Sequence, residues 1–177
     1  PFRVEVEATD REHAPHRGTP DSYVRVREQA RVQYAGRIQS APVHELLPRE
    51  PGFGFARLPA PSPGDLFFDV EGDPFVGTAG LEYLLGLVEL AEDGALRYEG
   101  RWAFDAAGER AAFETFVDDV MARWARDPGL HIYHFTPYDP SALKRIMGRY
   151  ATRVDEIDRM LRAGLFVRLD HLHLNGH

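Results

Sequence analysis

Two acidic residues, Asp69 and Glu71, have the side-chain type and spacing that could hold divalent cations. They end a short apolar run, and alternate residues of a strand point to the same face, so the two carboxylates should project together. Two carboxylates at the end of a buried strand repel each other unless a cation neutralises them. The pattern is also compatible with a solvent-exposed turn at Gly72-Asp73-Pro74, so the spacing alone leaves both alternatives open.

Asp139 is a third carboxylate that could join this pair. It follows a predicted strand at residues 130–134 and stands immediately before Pro140, where a helix is predicted to start. If that strand lies beside the strand of residues 66–70, Asp139 approaches Asp69. An Asp at a helix start is also an ordinary N-cap, and the capping geometry would hold its carboxylate in place. The two roles are therefore compatible.

The elements that must position these carboxylates follow from the hydrophobic pattern. A helix is predicted over residues 108–126 because its apolar residues fall on one face. A first helix with Asp21 or Ser22 as its N-cap is predicted over residues 20–39. The remaining predicted elements are strands at residues 66–70, 82–90, 96–104, 130–134 and 165–167, a helix from residue 140 onward and a helix at residues 154–161.

The order of these elements is a three-strand meander followed by helices and further strands. It is the order of ribonuclease H-like α/β folds, in which the fourth strand returns parallel beside the first. We therefore predict a mixed five-stranded sheet flanked by helices, with residues 66–70 as the central strand between residues 83–90 and 130–134. Because Phe67 shares the face of the carboxylates, both faces of the central strand are expected to be largely apolar.

The net charge and the absence of cysteine limit the functions that this chain could have. The chain of 177 residues has 28 acidic and 21 basic side chains, and residues 51–177 carry the whole net charge of −7. An acidic segment is a poor passive binder of nucleic acid, but clustered carboxylates suit a cation-dependent enzyme that acts on phosphates. The absence of cysteine excludes disulfides and indicates a reducing, cytoplasmic compartment, and no apolar run is long enough to span a membrane.

The composition also predicts the domain organisation. It indicates a helix and a Pro/Gly-rich connector over residues 20–64, followed by the ribonuclease H-like domain over residues 65–170. Without an initiator Met or a signal-peptide pattern, the chain is expected to be a piece of a larger protein.

Four segments of the chain closely resemble the predicted RecB-like nuclease family. These are large bacterial proteins whose ribonuclease H-like domain belongs to the DEDD 3′–5′ exonuclease superfamily. The segments are FFDVEGDPF at residues 67–75, GLEYLLG at residues 80–86, YHFTPYD at residues 133–139 and ALKR at residues 142–145. Asp69-Val70-Glu71 matches the first DEDD motif, D-x-E. Residues 133–139 match the second, in which the family usually has Asn and Phe at the positions of His134 and Tyr138.

The resemblance implies a two-metal 3′–5′ exonuclease that acts on nucleic acid, above all on single-stranded 3′ ends of DNA. Asp69 would bridge two Mg²⁺ or Mn²⁺ ions, Glu71 would ligate one of them, and Asp139 would hold the second through water. The residues expected to bind substrate are Asp73, His134, Tyr138 and Lys144.

The resemblance also implies partners and shows one departure from the family. The module would work beside a RecB-type nuclease domain and a helicase in the parent protein, with no membrane partner. On this resemblance, residues 1–19 would be the tail of the preceding domain, and residues 171–177 would be a tail that does not match the family. The last DEDD carboxylate belongs to a third motif on a helix after the fifth strand, and Asp170 comes too early to supply it. The alternative is a noncatalytic module that positions nucleic acid or bridges the neighbouring domains and is inactive in this chain.

Overall fold

The computed structural model describes residues 18–46, 48–91, 93–170 and 172. They fall into two compact units, which divide between Glu50 and Pro51. The tail predicted at residues 1–19 lies outside the described residues apart from its last two positions, and the tail predicted at residues 171–177 lies outside them apart from Leu172.

The described residues of the first unit form one helix, α1 (Pro20–Gln39), as the sequence predicts. Its N-cap is Thr19, whose side chain accepts a hydrogen bond from the N–H of Ser22 at 3.2 Å. The prediction of Asp21 or Ser22 as the cap is therefore wrong. The helix starts earlier because Pro20 occupies its first position, where a missing N–H costs nothing.

The second unit is an α/β fold built on a five-stranded mixed sheet. Its elements are β1 (Leu66–Asp73), β2 (Leu81–Leu90), β3 (Leu96–Trp102), α2 (Ala106–Arg126), β4 (Ile132–His134), α3 (Tyr138–Tyr150), α4 (Val154–Ala163) and β5 (Phe166–Arg168). The strand order is β3-β2-β1-β4-β5, with antiparallel pairing among the first three strands and parallel pairing of β4 with β1 and β5. The predicted sheet and its central first strand are confirmed.

The core lies on one face of this sheet. Leu66, Phe68 and Val70 are buried there, and the rings of Phe68 and Phe116 stack with centroids 4.4 Å apart. Burial of each such side chain contributes about 1.5–3 kcal/mol. The helix residues that complete this core are Phe113, Phe116, Val117 and Val120 of α2, Ala142, Leu143 and Ile146 of α3, and Ile157 and Met160 of α4.

The other face of β1 differs from the prediction. Phe67 stacks on Tyr133 at 5.3 Å, yet 48% of it remains exposed, and Asp69 and Glu71 on the same face are exposed too. The prediction of a largely apolar second face is wrong, because Asp69 and Glu71 share it with Phe67 in the open, while the core residues of α2, α3 and α4 all pack with the opposite face. Among the described residues, no helix is both long and apolar enough to cross a membrane.

Candidate active site

The first two carboxylates lie inside the central strand and not in a turn. Asp69 pairs with Gly86 and Glu71 with Leu84 of β2, and β1 continues to Asp73. Both side chains project from the exposed face of the sheet, near the end of β1. The alternative of a frayed, solvent-exposed turn at this D-x-E sequence is therefore excluded.

Asp139 is held against β1 by a hydrogen bond and does not cap its own helix. The N-cap of α3 is Pro137, with no side-chain hydrogen bond, and Asp139 lies in the first turn of the helix. Its Oδ1 accepts a hydrogen bond from the backbone N–H of Val70 at 3.1 Å. The pairing of β1 with β4 ends at Phe67 and Tyr133, so Asp139 supplies an acceptor beyond the last strand partner. The predicted N-cap is wrong, whereas the predicted approach to the Asp69 strand is confirmed.

The second oxygen of Asp139 is buried without a partner. Asp139 is only 1% exposed, and among the described residues its Oδ2 has no hydrogen-bond partner. The nearest cationic candidate is His134, whose Nδ1 lies 3.5 Å away. That Nδ1 carries a proton, because it donates to the carbonyl oxygen of Thr136 at 2.7 Å. A buried carboxylate oxygen in this state is costly unless a donor or a cation binds it.

The three carboxylates influence one another electrostatically. Burial raises the pKa of Asp69, and the charges of Asp139 and then Glu71 raise it further, while the N–H of Val70 opposes the shift. Proximity of like charges makes full ionisation unfavourable, and a divalent cation would relieve the repulsion. The electrostatics are therefore those of a site that favours a bound cation.

An open cleft of about 700 Å³ runs over the ends of β1 and β2. It is lined among others by Asp69, Glu71, Asp73, Tyr138, Asp139 and Arg145. Two predicted substrate-binding residues, Asp73 and Tyr138, thus face the cleft. His134 is buried and Lys144 is exposed, and neither is among the residues that line it. The Nδ1 of His134 lies 3.5 Å from Oδ2 of Asp139, and the cation beside Tyr138 in the cleft is Arg145.

Glu82 joins two residues of the cleft wall. Its Oε2 accepts a hydrogen bond from the hydroxyl of Tyr138 and its Oε1 accepts one from Nη2 of Arg145, both at 2.7 Å. Burial and the bond to Glu82 raise the pKa of Tyr138 to about 12, so its hydroxyl remains a donor at neutral pH. The guanidinium carbon of Arg145 lies 4.9 Å from the centre of the Tyr138 ring. The carboxylate of Glu82 thus fixes both side chains.

A second buried carboxylate, that of Glu109, holds the floor of the cleft. It accepts hydrogen bonds from the N–H of Glu82 at 2.6 Å, from Nη1 of Arg149 at 2.6 Å and from the hydroxyl of Tyr150 at 2.5 Å. Arg149 also donates to the carbonyl oxygens of residues 79 and 80. Glu109 therefore connects α2 and α3 to the loop between β1 and β2.

Sequence reasoning did not single out these two glutamates or the two arginines. Two signals were present. Glu109 lies four residues before Phe113, inside the apolar stripe of α2, where a charged residue must find a partner. Arg145 lies seven residues after Tyr138, two helical turns along one face of α3.

The site can be tested for its fit to Mg²⁺ or Mn²⁺. These ions prefer oxygen ligands, which Asp69, Glu71 and Asp139 provide. Oδ2 of Asp139 has no hydrogen-bond partner among the described residues and could act as a metal ligand. Among residues 18–46, 48–91, 93–170 and 172, however, no three His, Asp or Glu side chains gather in an arrangement that could hold a metal ion. Asp69 and Asp139 fit the ion in donor chemistry, but with Glu71 they do not form a closed ligand set.

Comparison with known proteins agrees with the fold. A family model described as the RNase H superfamily matches residues 66–174, which cover the sheet and its helices. No curated protein and no solved structure matches the chain.

Proposed function

The chain belongs to the RNase H superfamily, and from the carboxylates that its central strand presents we propose that it is a metal-dependent 3′–5′ exonuclease module. Membership of this superfamily indicates a nuclease-type module that acts on nucleic acid, and such nucleases generally use divalent metal ions. One observation carries the proposal: the N–H of Val70 fixes Asp139 beside Asp69, and the second oxygen of Asp139 is buried with no hydrogen-bond partner among the described residues.

Each carboxylate has a separate role in this proposal. Asp69 and Asp139 would hold Mg²⁺ or Mn²⁺, with Glu71 as a further ligand at the exposed face of β1. Two such ions would supply charge neutralisation at the scissile phosphate and a lowered pKa of the attacking water. The Nδ1 of His134 donates to the carbonyl oxygen of Thr136 and lies 3.5 Å from Oδ2 of Asp139, so this oxygen would remain available to a cation.

The proposal extends to the substrate, the cellular location and the parent protein. We infer a nucleic acid with a single-stranded 3′ end, with DNA favoured over RNA, and a cytoplasmic location. The resemblance to the RecB-like nuclease family supports a parent protein with a RecB-type nuclease domain and a helicase. We propose the same division of the chain as above: a tail at residues 1–19, a helix and connector at residues 20–64, the ribonuclease H-like domain at residues 65–170 and a tail at residues 171–177.

One observation favours a second candidate, a noncatalytic module that positions nucleic acid or bridges domains. In the described part of the chain, no three acidic or histidine side chains form a metal-binding group. A module of this kind would bind nucleic acid without hydrolysing it, and its carboxylates would serve the fold alone.

Digestion of a 5′-labelled single-stranded DNA separates the two candidates. With Mn²⁺ or Mg²⁺, the exonuclease should produce a ladder that shortens from the 3′ end, and EDTA or the substitution Asp69→Asn should abolish it. Asp158→Asn is a matched control, because Asp158 is an exposed acid on α4 that pairs with Arg162. No metal-dependent digestion by a folded chain that binds the DNA would favour the noncatalytic module.

A further inference from the structure

Arg145 lines the cleft, and part of its guanidinium can still donate hydrogen bonds to a ligand. The other arginine that lines the cleft, Arg149, is engaged by Glu109 and by two backbone carbonyls. Arg145 donates to Glu82 through Nη2, which leaves further N–H groups of its guanidinium for a ligand. Its side chain is 45% exposed, whereas that of Glu82 is 6% exposed. A buried anchor thus presents an accessible cation.

Tyr138 stands next to Arg145 as an exposed aromatic surface. The residue is 40% exposed and lines the cleft immediately before Asp139. Its hydroxyl is fixed by Glu82, so the ring is held in one orientation before any ligand arrives. An aromatic ring beside a guanidinium is the combination that binds single-stranded nucleic acid, because the ring stacks on a base and the cation contacts the backbone.

Gly72 makes this arrangement possible. A Cβ at residue 72 would lie 2.0 Å from Oε2 of Glu82 and 2.5 Å from the hydroxyl of Tyr138, distances that no side chain can occupy. The register of β1 against β2 shifts between Glu71 and Gly72, and this irregularity pairs Gly72 with Glu82. The backbone of the central strand therefore leaves the space in which Glu82 meets its two donors.

We propose that Arg145, held by Glu82 over the ring of Tyr138, completes a nucleotide site for a single strand beside Asp139, at the point where the family resemblance already places Tyr138 against the substrate. The Tyr138 ring stacks on the base, Arg145 donates to a backbone phosphate, and Glu82 is a positioning residue that does not touch the substrate. This inference deepens the proposed function and rests on it, because it assigns the strand to the cleft that holds the carboxylates. The ligand class is a single-stranded oligonucleotide.

Fluorescence anisotropy tests the site without turnover. The probe is a 5′-fluorescein-labelled oligothymidylate in buffer with Ca²⁺ in place of Mg²⁺, with its intact length verified on a gel. Arg145→Gln should weaken binding about tenfold and reduce the slope of log affinity against log salt by about 0.7, the value for one phosphate contact on a single strand. Arg162→Gln, which removes the same charge from an exposed pair on α4, should change neither quantity.

Two further variants separate stacking and positioning from folding. Tyr138→Ala should weaken binding by about fivefold or more with an unchanged salt slope, while Tyr138→Phe should retain most of the affinity because it keeps the ring. Glu82→Gln should weaken binding although it removes a negative charge. In the Arg145→Gln background Glu82→Gln should have a smaller effect than in the unmodified chain, because only the positioning of Tyr138 is then left to lose.

The outcomes distinguish this inference from the proposed function, which a parallel digestion in Mn²⁺ tests. Binding with the expected loss of salt slope but no digestion would support the nucleotide site and remove the exonuclease. Mn²⁺-dependent digestion with Arg145→Gln unchanged in affinity and slope would overturn the nucleotide site alone. Absence of oligonucleotide binding by the unmodified chain would also overturn it.

Discussion

The carboxylate of Asp139 accepts a hydrogen bond from the backbone N–H of Val70 at 3.1 Å, and this bond ties the start of α3 to the central strand. Val70 follows Asp69 directly, so the bond also fixes one acidic residue beside another. A helix cap would have left the position of Asp139 relative to β1 dependent on loop geometry. Because the hydrogen bond joins α3 directly to β1, the central strand itself fixes the position of Asp139.

Substitutions at Asp139 should separate its structural role from its chemical role. Asp139→Asn keeps an acceptor for Val70 and should leave the free energy of unfolding nearly unchanged, yet lower metal-dependent nuclease activity by at least about 100-fold. Asp139→Ala leaves the buried N–H unpaired and should also cost about 1–3 kcal/mol of stability. Urea denaturation and digestion assays measure the two effects. Equal activity of Asp139→Asn and the unmodified chain would remove Asp139 from the chemistry.

The fold could be predicted from the sequence because its signals are local. The apolar run of β1 and the apolar stripe of α2 each specify an element, and the order of the predicted elements specifies the sheet. The exposure of Phe67 could not be predicted, because an aromatic residue on the carboxylate face is compatible with either a covered or an open sheet. The structure decides this by placing the described core helices on one face.

The site was predictable only as far as its motifs extend. Strand periodicity and topology predict Asp69, Glu71 and Asp139 as a group, and the bond from Val70 places Asp139 beside the strand of Asp69. Among the described residues, no three such side chains gather in a metal-binding arrangement, so the group itself stays a prediction. Lys144 was predicted to bind substrate, but its neighbour Arg145 is the one that lines the cleft, and the sequence does not show which of two adjacent cations faces it. The partnership of that arginine with Glu82 depends on a contact between β2 and α3, and no local pattern records such a contact.

Gly72→Ala should disturb the Glu82 anchor without creating a cavity. The added methyl would overlap Oε2 of Glu82 and the hydroxyl of Tyr138, so one or both must move. Because a displacement of about 1 Å of a substrate-binding side chain can slow catalysis strongly, we expect kcat/KM to fall about tenfold or more. Gly148→Ala is the matched control, since a Cβ at this position in α3 meets nothing within 4 Å. It should raise stability by about 0.5–1 kcal/mol. Unchanged kcat/KM in Gly72→Ala would contradict the packing argument.

Glu109 should be more important for stability than any exposed acid of the chain. It is fully buried and accepts hydrogen bonds from Arg149, Tyr150 and the N–H of Glu82. Glu109→Ala leaves these donors unpaired and should lower the free energy of unfolding by about 3–5 kcal/mol. Adding Arg149→Ala should cost much less than the two single effects combined, because the substitutions share one network. Additive losses, measured by urea denaturation, would show that the two residues act independently.

Asp127 should make the stability of the second unit sensitive to acid. The hydroxyl of Ser62 lies 2.6 Å from its carboxylate, and this bond, followed by those from the N–H groups of Gly64 and Gly129, lowers the pKa of Asp127 against the opposing effect of burial. Because the pKa of Asp127 is lower in the folded chain than in the unfolded one, its ionisation stabilises the fold at any pH above the unfolded pKa of about 3.9. This stabilisation is lost as the pH falls through the folded pKa.

Asp127→Asn should therefore be less stable than the unmodified chain at neutral pH, and the two curves of stability against pH should converge below about pH 4. Ser62→Ala, which removes the largest cause of the shift, should show a weaker form of the same convergence. Urea denaturation as a function of pH measures both variants, and curves that stay parallel into acid would show that Asp127 is not linked to folding.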